Sequence, residues 1–202
     1  MNDLEIEVKF YLPDIPSVRE RILELGAECK GRVFETNIRF EDASKSLMRK
    51  NSLLRLRKDA TAKLTFKSPP IAPDNQFKVR RELEVEVSDF STMSRILDAL
   101  GFNEEQVYEK WRETFILGDT HFCIDTMPYG DFLEIEGEKT EIRKLADQLG
   151  LKWEKRILTN YLAIFRTVRE KLNLSFSDLT FEHFKAVELD LGEFRHLFEM
   201  GK

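Results

Sequence analysis

Glu5-Ile6-Glu7-Val8-Lys9-Phe10-Tyr11 is the stretch on which the fold turns. In an extended chain successive side chains point to opposite faces. Glu5, Glu7 and Lys9 therefore share one face, and Ile6, Val8 and Phe10 the other. One such segment describes any strand with a wet side. The same alternation, however, returns along the chain. Arg55 and Arg57 oppose Leu54 and Leu56, while Lys63, Thr65 and Lys67 oppose Leu64 and Phe66. Lys78, Arg80, Glu82, Glu84 and Glu86 alternate with Val79, Leu83, Val85 and Val87. Tyr108, Lys110 and Arg112 fall together, as do His121, Cys123 and Asp125, and finally Glu134 and Glu136.

Turn residues separate these runs, at Asp59-Ala60-Thr61-Ala62, Leu117-Gly118-Asp119 and Tyr129-Gly130-Asp131, and a proline-rich loop spans Ser68 to Gln76. With a strand over about 33–41, the reading yields eight strands. Three amphipathic helices intervene, marked by Ile15, Val18, Ile22 and Leu25, by Met93, Ile96, Leu97 and Leu100, and by Ile142, Leu145, Ala146 and Leu149. Three times a strand carrying Glu-x-Glu feeds a helix that ends in Leu-Gly, at Leu25-Gly26, Leu100-Gly101 and Leu149-Gly150. Beyond about residue 155 the spacing of Leu158, Tyr161, Leu162, Phe165, Val168 and Leu172 predicts another helix. A Phe-rich tail follows, expected to pack on the outside of the sheet. The expected organisation is one domain, with a barrel core over about 3–155 and a helical extension over about 156–202.

The amphipathic helices need an apolar surface, so they should coat the uncharged sheet face from outside. The charged face then lies on the other side. Closing eight antiparallel strands into a barrel removes the exposed edges and encloses those charges. Dry burial of so many ions would cost several kcal/mol each, so the enclosed space must be wet and suited to a charged ligand. Lysine and arginine neutralise phosphate oxygens, and clustered glutamates offer oxygen ligands to Mg²⁺ or Mn²⁺.

The bulk composition agrees. With 202 residues, 42% hydrophobic and 34% charged, the chain is long enough for a substantial core and reads as globular. A net charge of -5 gives no basic tract for nucleic acid or an anionic membrane surface. Two cysteines, Cys29 and Cys123, form neither a disulfide framework nor a zinc pattern. The opening residues carry no basic-then-apolar leader and no apolar run reaches membrane length, so a cytoplasmic location is expected. Gly26 to Val33 mimics a phosphate loop but has Arg-Val where Lys-Ser/Thr belongs, and chance explains it better. His121 reads as a wall residue, Cys123 as packing or lining, and Trp111 and Trp153 as core.

Glu5-x-Glu7-x-Lys9, Arg55-x-Arg57, Lys63-x-Thr65-x-Lys67, Arg80-x-Glu82-x-Glu84, Lys110-x-Arg112, Asp125 and Glu134-x-Glu136, in that order, resemble the CYTH family of triphosphate tunnel metalloenzymes. The resemblance implies an α+β fold, an eight-stranded antiparallel tunnel with triphosphate bound inside. By matching position, Lys9, Arg55, Arg57, Lys63, Lys67, Arg80, Lys110 and Arg112 would bind substrate. Lys9, Arg57, Lys110 and Arg112 would form the catalytic group. Glu5, Glu7, Glu134 and Glu136, with Asp125 near, would hold Mg²⁺ or Mn²⁺, and Glu82 and Glu84 rank lower. The implied partner is ATP, thiamine triphosphate or tripolyphosphate. The run from Glu35 to Phe40, continued at Leu53–Arg57 and Gly130–Glu136, is most similar to class IV adenylyl cyclase-like members. Cyclisation of ATP, triphosphate hydrolysis and non-catalytic binding all stay open at this point, as does pairing of two copies through their outer faces.

Overall fold

The computed structural model describes residues 3–70, 72 and 74–201. Ile71 and Pro73, within the expected proline-rich loop, lie outside the described residues. Eight strands are present: β1 (Leu4–Tyr11), β2 (Glu28–Asp42), β3 (Leu53–Lys58), β4 (Ala62–Ser68), β5 (Lys78–Val87), β6 (Phe102–Leu117), β7 (Thr120–Met127) and β8 (Gly130–Glu136). Every pairing is antiparallel, and the order β1-β5-β4-β3-β2-β6-β7-β8 closes on itself. The expected eight-stranded barrel is thus the observed one. β2 and β6 are longer than the alternation suggested, and they pair from Glu28–Ile116 to Asp42–Phe102. The segment that mimics a phosphate loop is the turn after α1 followed by the start of β2.

The helices are α1 (Ile15–Glu24), α2 (Ser46–Arg49), α3 (Phe90–Ala99), α4 (Lys139–Gln148), α5 (Tyr161–Lys171) and α6 (Phe181–Phe184), with 3₁₀ turns at Trp153–Lys155 and Leu191–Leu197. α1 and α3 begin where Asp14 and Asp89 accept hydrogen bonds from Ser17 N and Thr92 N. α1, α3 and α4 each end at Leu-Gly, with Gly26, Gly101 and Gly150 at φ of +87°, +87° and +68°. Glycine adopts that left-handed terminus without steric cost, which explains the threefold Leu-Gly echo.

The apolar strand faces are buried outside the barrel. α1 and α4 cover Val8, Phe10, Phe122, Ile124, Leu133 and Ile135, and α3 joins the cluster of Ile38, Phe40, Leu54 and Leu56. Cover is incomplete. Leu83 and Val85, expected beneath a helix, are 53% and 57% exposed on β5, because α3 leaves that strand to pack against β3 and β6. Trp111, expected in the core, is 38% exposed and packs instead at a tilt against Phe34, ring centres 5.1 Å apart.

The tail overturns another expectation, for it does not merely coat the sheet. Ile157 forms a backbone bridge with Lys9, giving two hydrogen bonds of 2.7 and 3.2 Å. Leu179 bridges β6, donating to Val107 O and accepting from Glu109 N. Phe165, Phe184 and Phe198 form a further core with Tyr129, Phe132 and Ile157. The tail therefore binds both the exit of β1 and the entry of β6, where ladder positions are free, and brings the start of α5 to the barrel interior.

Candidate active site

The barrel encloses a cavity of about 690 Å³, in the range that holds one small ligand. Its wall is the charged strand face. Glu5, Glu7, Arg55, Arg57, Lys63, Lys67, Arg80, Glu82, Glu84, Lys110, Arg112, Glu134 and Glu136 all line it. Lys9 and Asp125 lie behind this surface, 1% and 0% exposed.

The charges are interlaced. Lys9 Nζ lies 2.7 Å from Glu7 and 2.6 Å from Glu134, and Lys78 Nζ lies 2.7 Å from Glu7. Lys67 sits between Glu5 at 2.7 Å and Glu82 at 2.8 Å. Glu84 accepts from Lys63 at 3.0 Å and from Thr65 at 2.9 Å, within 3.8 Å of Arg55 and 3.6 Å of Arg57. Arg112 Nε donates to Asp125 at 2.6 Å, Lys110 Nζ donates to the same carboxylate at 3.0 Å, and Arg112 also pairs with Glu134. Arg80 faces the same cavity, but both its terminal nitrogens clasp Asn51, one of them through the Asn51 carbonyl at 2.8 Å.

These neighbours split the carboxylates into two groups. Burial and Glu134 push Glu7 up, but Lys78, Lys9 and Lys67 outweigh them and hold it below its ordinary range. Burial likewise opposes ionisation of Glu134, and Lys9, Arg112 and Lys110 overcome it. Glu35 is brought down to about 2, its burial more than offset by Lys110, Arg112 and Arg57. Glu5 and Glu136 go the other way. Burial and then the charge of Glu7 raise them to about 8 and about 7, more than Lys67 can offset. Glu5 and Glu136 thus form, beside the lysine-paired Glu7, an acidic pole short of positive charge.

That donor set fits a hard divalent cation, since carboxylate oxygens suit Mg²⁺ or Mn²⁺ and the deficit of positive charge would favour it. Among the described residues no three acidic, histidine or cysteine side chains converge in ligating geometry, and lysine ammoniums occupy the oxygens of Glu5 and Glu7. Asp125 stands apart from this pole. Its oxygens already receive Arg112, Lys110 and the hydroxyl of Tyr161 at 2.8 Å.

Several wall residues escaped the sequence reading. Glu35 and Arg39 share a face of β2 in the same alternation as Asn37, so periodicity could have found them, whereas Lys78 was already placed on the charged face with Arg80. Asn160, Tyr161, Leu162 and Arg166 also face the cavity. Asn160 starts α5 by accepting from Ala163 N at 2.8 Å, which sets Tyr161 as the first helical residue. Nothing in a helical apolar stripe distinguishes such a tyrosine from core. His121 and Cys123 line the cavity as well, and burial raises the Cys123 thiol to about 11, an unreactive value. Several buried polar atoms lack hydrogen-bond partners among the described residues, including Arg55 Nε, Arg57 Nε, Glu35 Oε2 and both amide atoms of Asn37.

Comparison with known proteins gives the same picture. The family model described as CYTH domain matches residues 3–164. A Methanocaldococcus jannaschii protein named as a putative adenylate cyclase is 31% identical over 143 residues, 70% of this chain and 81% of that protein. Two solved structures from Pyrococcus horikoshii, PH1012 and PH1819, are 30% and 27% identical with TM-scores of 0.66 and 0.68. They align over 78% and 82% of this chain and 96% and 99% of their own. With the ordered charge pattern, the closed tunnel and the match over most of its length, the chain belongs to the CYTH family.

Proposed function

We propose that this protein is a divalent-metal-dependent enzyme acting on a triphosphate inside the tunnel. The observation that carries the reading is the closed wall itself, on which lysines, arginines and glutamates interlace around one cavity. A triphosphate alone would satisfy the cations but leave the glutamates repelling it. A bound triphosphate and metal together satisfy both.

Lys9, Arg57, Lys110 and Arg112 form the catalytic group, and Arg55, Lys63, Lys67 and Arg80 extend the phosphate-binding surface. Arginine can bind phosphate oxygens in bidentate fashion, and lysine acts as a point charge. Their task is to hold the phosphates in line and to stabilise negative charge as it moves to the leaving oxygen. Glu5, Glu7, Glu134 and Glu136 would hold Mg²⁺ or Mn²⁺, which when bound supplies further neutralisation of the phosphate oxygens.

The first reading of the reaction is cyclisation of ATP. The ribose 3′-oxygen attacks the α-phosphorus, its proton is lost and pyrophosphate leaves. The name of the 31% identical relative supports this reading. The second is hydrolysis, in which water attacks the terminal phosphorus of tripolyphosphate, thiamine triphosphate or a nucleoside triphosphate, the bond to the bridging oxygen breaks, the diphosphate portion leaves and the attacked phosphorus becomes orthophosphate. One feature of the wall favours it. Its two tyrosines, Tyr108 and Tyr161, are both buried with their hydroxyls engaged, which leaves His121 as the described aromatic ring of the wall open to a base.

Incubation with each triphosphate plus Mg²⁺ or Mn²⁺ tests the proposal. Cyclic AMP with pyrophosphate marks the cyclase, and orthophosphate the hydrolase. Tight binding without turnover of any of them would make the protein a binding module. Among the described residues no helix is long and apolar enough to cross a membrane.

A further inference from the structure

We propose that Tyr161, from the helical segment after the barrel, is a positioning residue that sets the catalytic cations by bonding to Asp125. This rests on the triphosphate reading above. The phenol donates to Asp125 Oδ2 at 2.8 Å, the same oxygen that accepts Lys110 Nζ at 3.0 Å, while Oδ1 accepts Arg112 Nε at 2.6 Å. The ring of Tyr161 lies 4.7 Å from Lys9 Nζ and 5.5 Å from Lys110 Nζ, within cation–π range. Three of the four proposed catalytic cations therefore touch either this side chain or the carboxylate it holds.

The tyrosine is itself fixed. Its backbone carbonyl accepts from the Tyr129 hydroxyl at 3.0 Å, its ring packs edge-on against Phe132 at 5.2 Å, and four residues earlier Ile157 grips the backbone of Lys9. Burial and the nearby charge of Asp125 keep the phenol protonated, as a donor must be.

A buried carboxylate distributes its lone pairs among its donors. With the phenol present, Asp125 holds Lys110 and Arg112 in place without absorbing all their charge. Without it, the carboxylate must satisfy Oδ2 with Lys110 and Arg112 alone, drawing them away from the cavity. The hydroxyl thereby regulates how much positive charge faces the substrate.

The test uses the full chain, with inorganic tripolyphosphate as probe in metal-free buffer. Tyr161→Phe keeps the ring and removes the donor. Its affinity for tripolyphosphate should fall about tenfold, and KM for the turned-over triphosphate should rise by a similar factor while kcat changes less than about threefold. In an Asp125→Asn background the same substitution should have no further effect, because a residue acting through Asp125 loses its lever. If Asp125→Asn fails to fold, the KM-against-kcat split of the single variant decides alone. Affinity within about twofold of wild type, or an equal loss in both backgrounds, overturns the proposal. Wild-type protein that binds neither tripolyphosphate nor ATP overturns the triphosphate reading, and this inference with it.

Discussion

Replacing Lys9 by Met removes a positive charge from a place water cannot reach. Lys9 is 1% exposed and its ammonium contacts Glu7 and Glu134 at 2.7 and 2.6 Å. Methionine keeps the chain length and most of the volume, so little packing is lost. Two buried carboxylates are each left short of a partner. Breaking a buried pair costs about 3–5 kcal/mol. Glu7 keeps Lys78 and Glu134 keeps Arg112, which places the cost at the lower end, about 3 kcal/mol. In a chain of this size each kcal/mol moves Tm by about 2–4 °C, so a fall of about 6–12 °C is expected. Acid should shrink the deficit. Glu7 and Glu134 are held low partly by Lys9, so in the variant they take up protons at higher pH, which relieves their repulsion. The loss in Tm should be largest above neutrality and smaller near pH ~5. Lys9 lies behind the cavity lining, so its loss reaches a bound phosphate through Glu7 and Glu134, whose less compensated charge at the wall should lower affinity for tripolyphosphate. Thermal denaturation across pH and calorimetric titration check both arms. A variant with wild-type Tm above neutrality and unchanged affinity would refute the charge-pairing argument.

Three further outcomes are expected. Because Glu5 and Glu136 are raised to about 8 and about 7, the metal-free folded protein holds protons that the unfolded chain releases near its ordinary carboxylate value. Their contribution should therefore weaken stability as pH rises through that window. Mn²⁺ should restore it and bind more tightly at higher pH, which denaturation with and without metal measures. Glu136→Gln should weaken Mn²⁺ binding by about ten- to a hundredfold while raising the metal-free Tm above neutrality, and unchanged metal affinity would remove Glu136 from the acidic pole. Leu83→Thr with Val85→Thr should leave Tm within a few degrees, since both side chains already face solvent and such substitutions are worth about 0.5 kcal/mol each. A large drop would show that this face is covered.

The period-two alternation is a local property of extended backbone, which is why the chain alone determined the strands, the charged inward face and most of the wall. Glu5, Lys9, Arg55, Lys67, Arg112 and Glu134 announce their side of the sheet within five residues of their own neighbours. The Leu-Gly helix ends were legible for the same reason, since a left-handed terminus is a demand of local geometry. Closure and packing decided the rest. Which carboxylate meets which ammonium follows from how eight strands are staggered around the barrel, so the contrast between a depressed Glu7 and a raised Glu136 is invisible before the strands are joined. The bareness of Leu83 and Val85 depends on where α3 comes to rest. Tyr161 lies 36 residues from Asp125 in a stripe that reads as ordinary core. The bridge of Ile157 to Lys9, between backbone groups that carry no side-chain signature, and the Tyr129 hydroxyl on the Tyr161 carbonyl bring it into the tunnel.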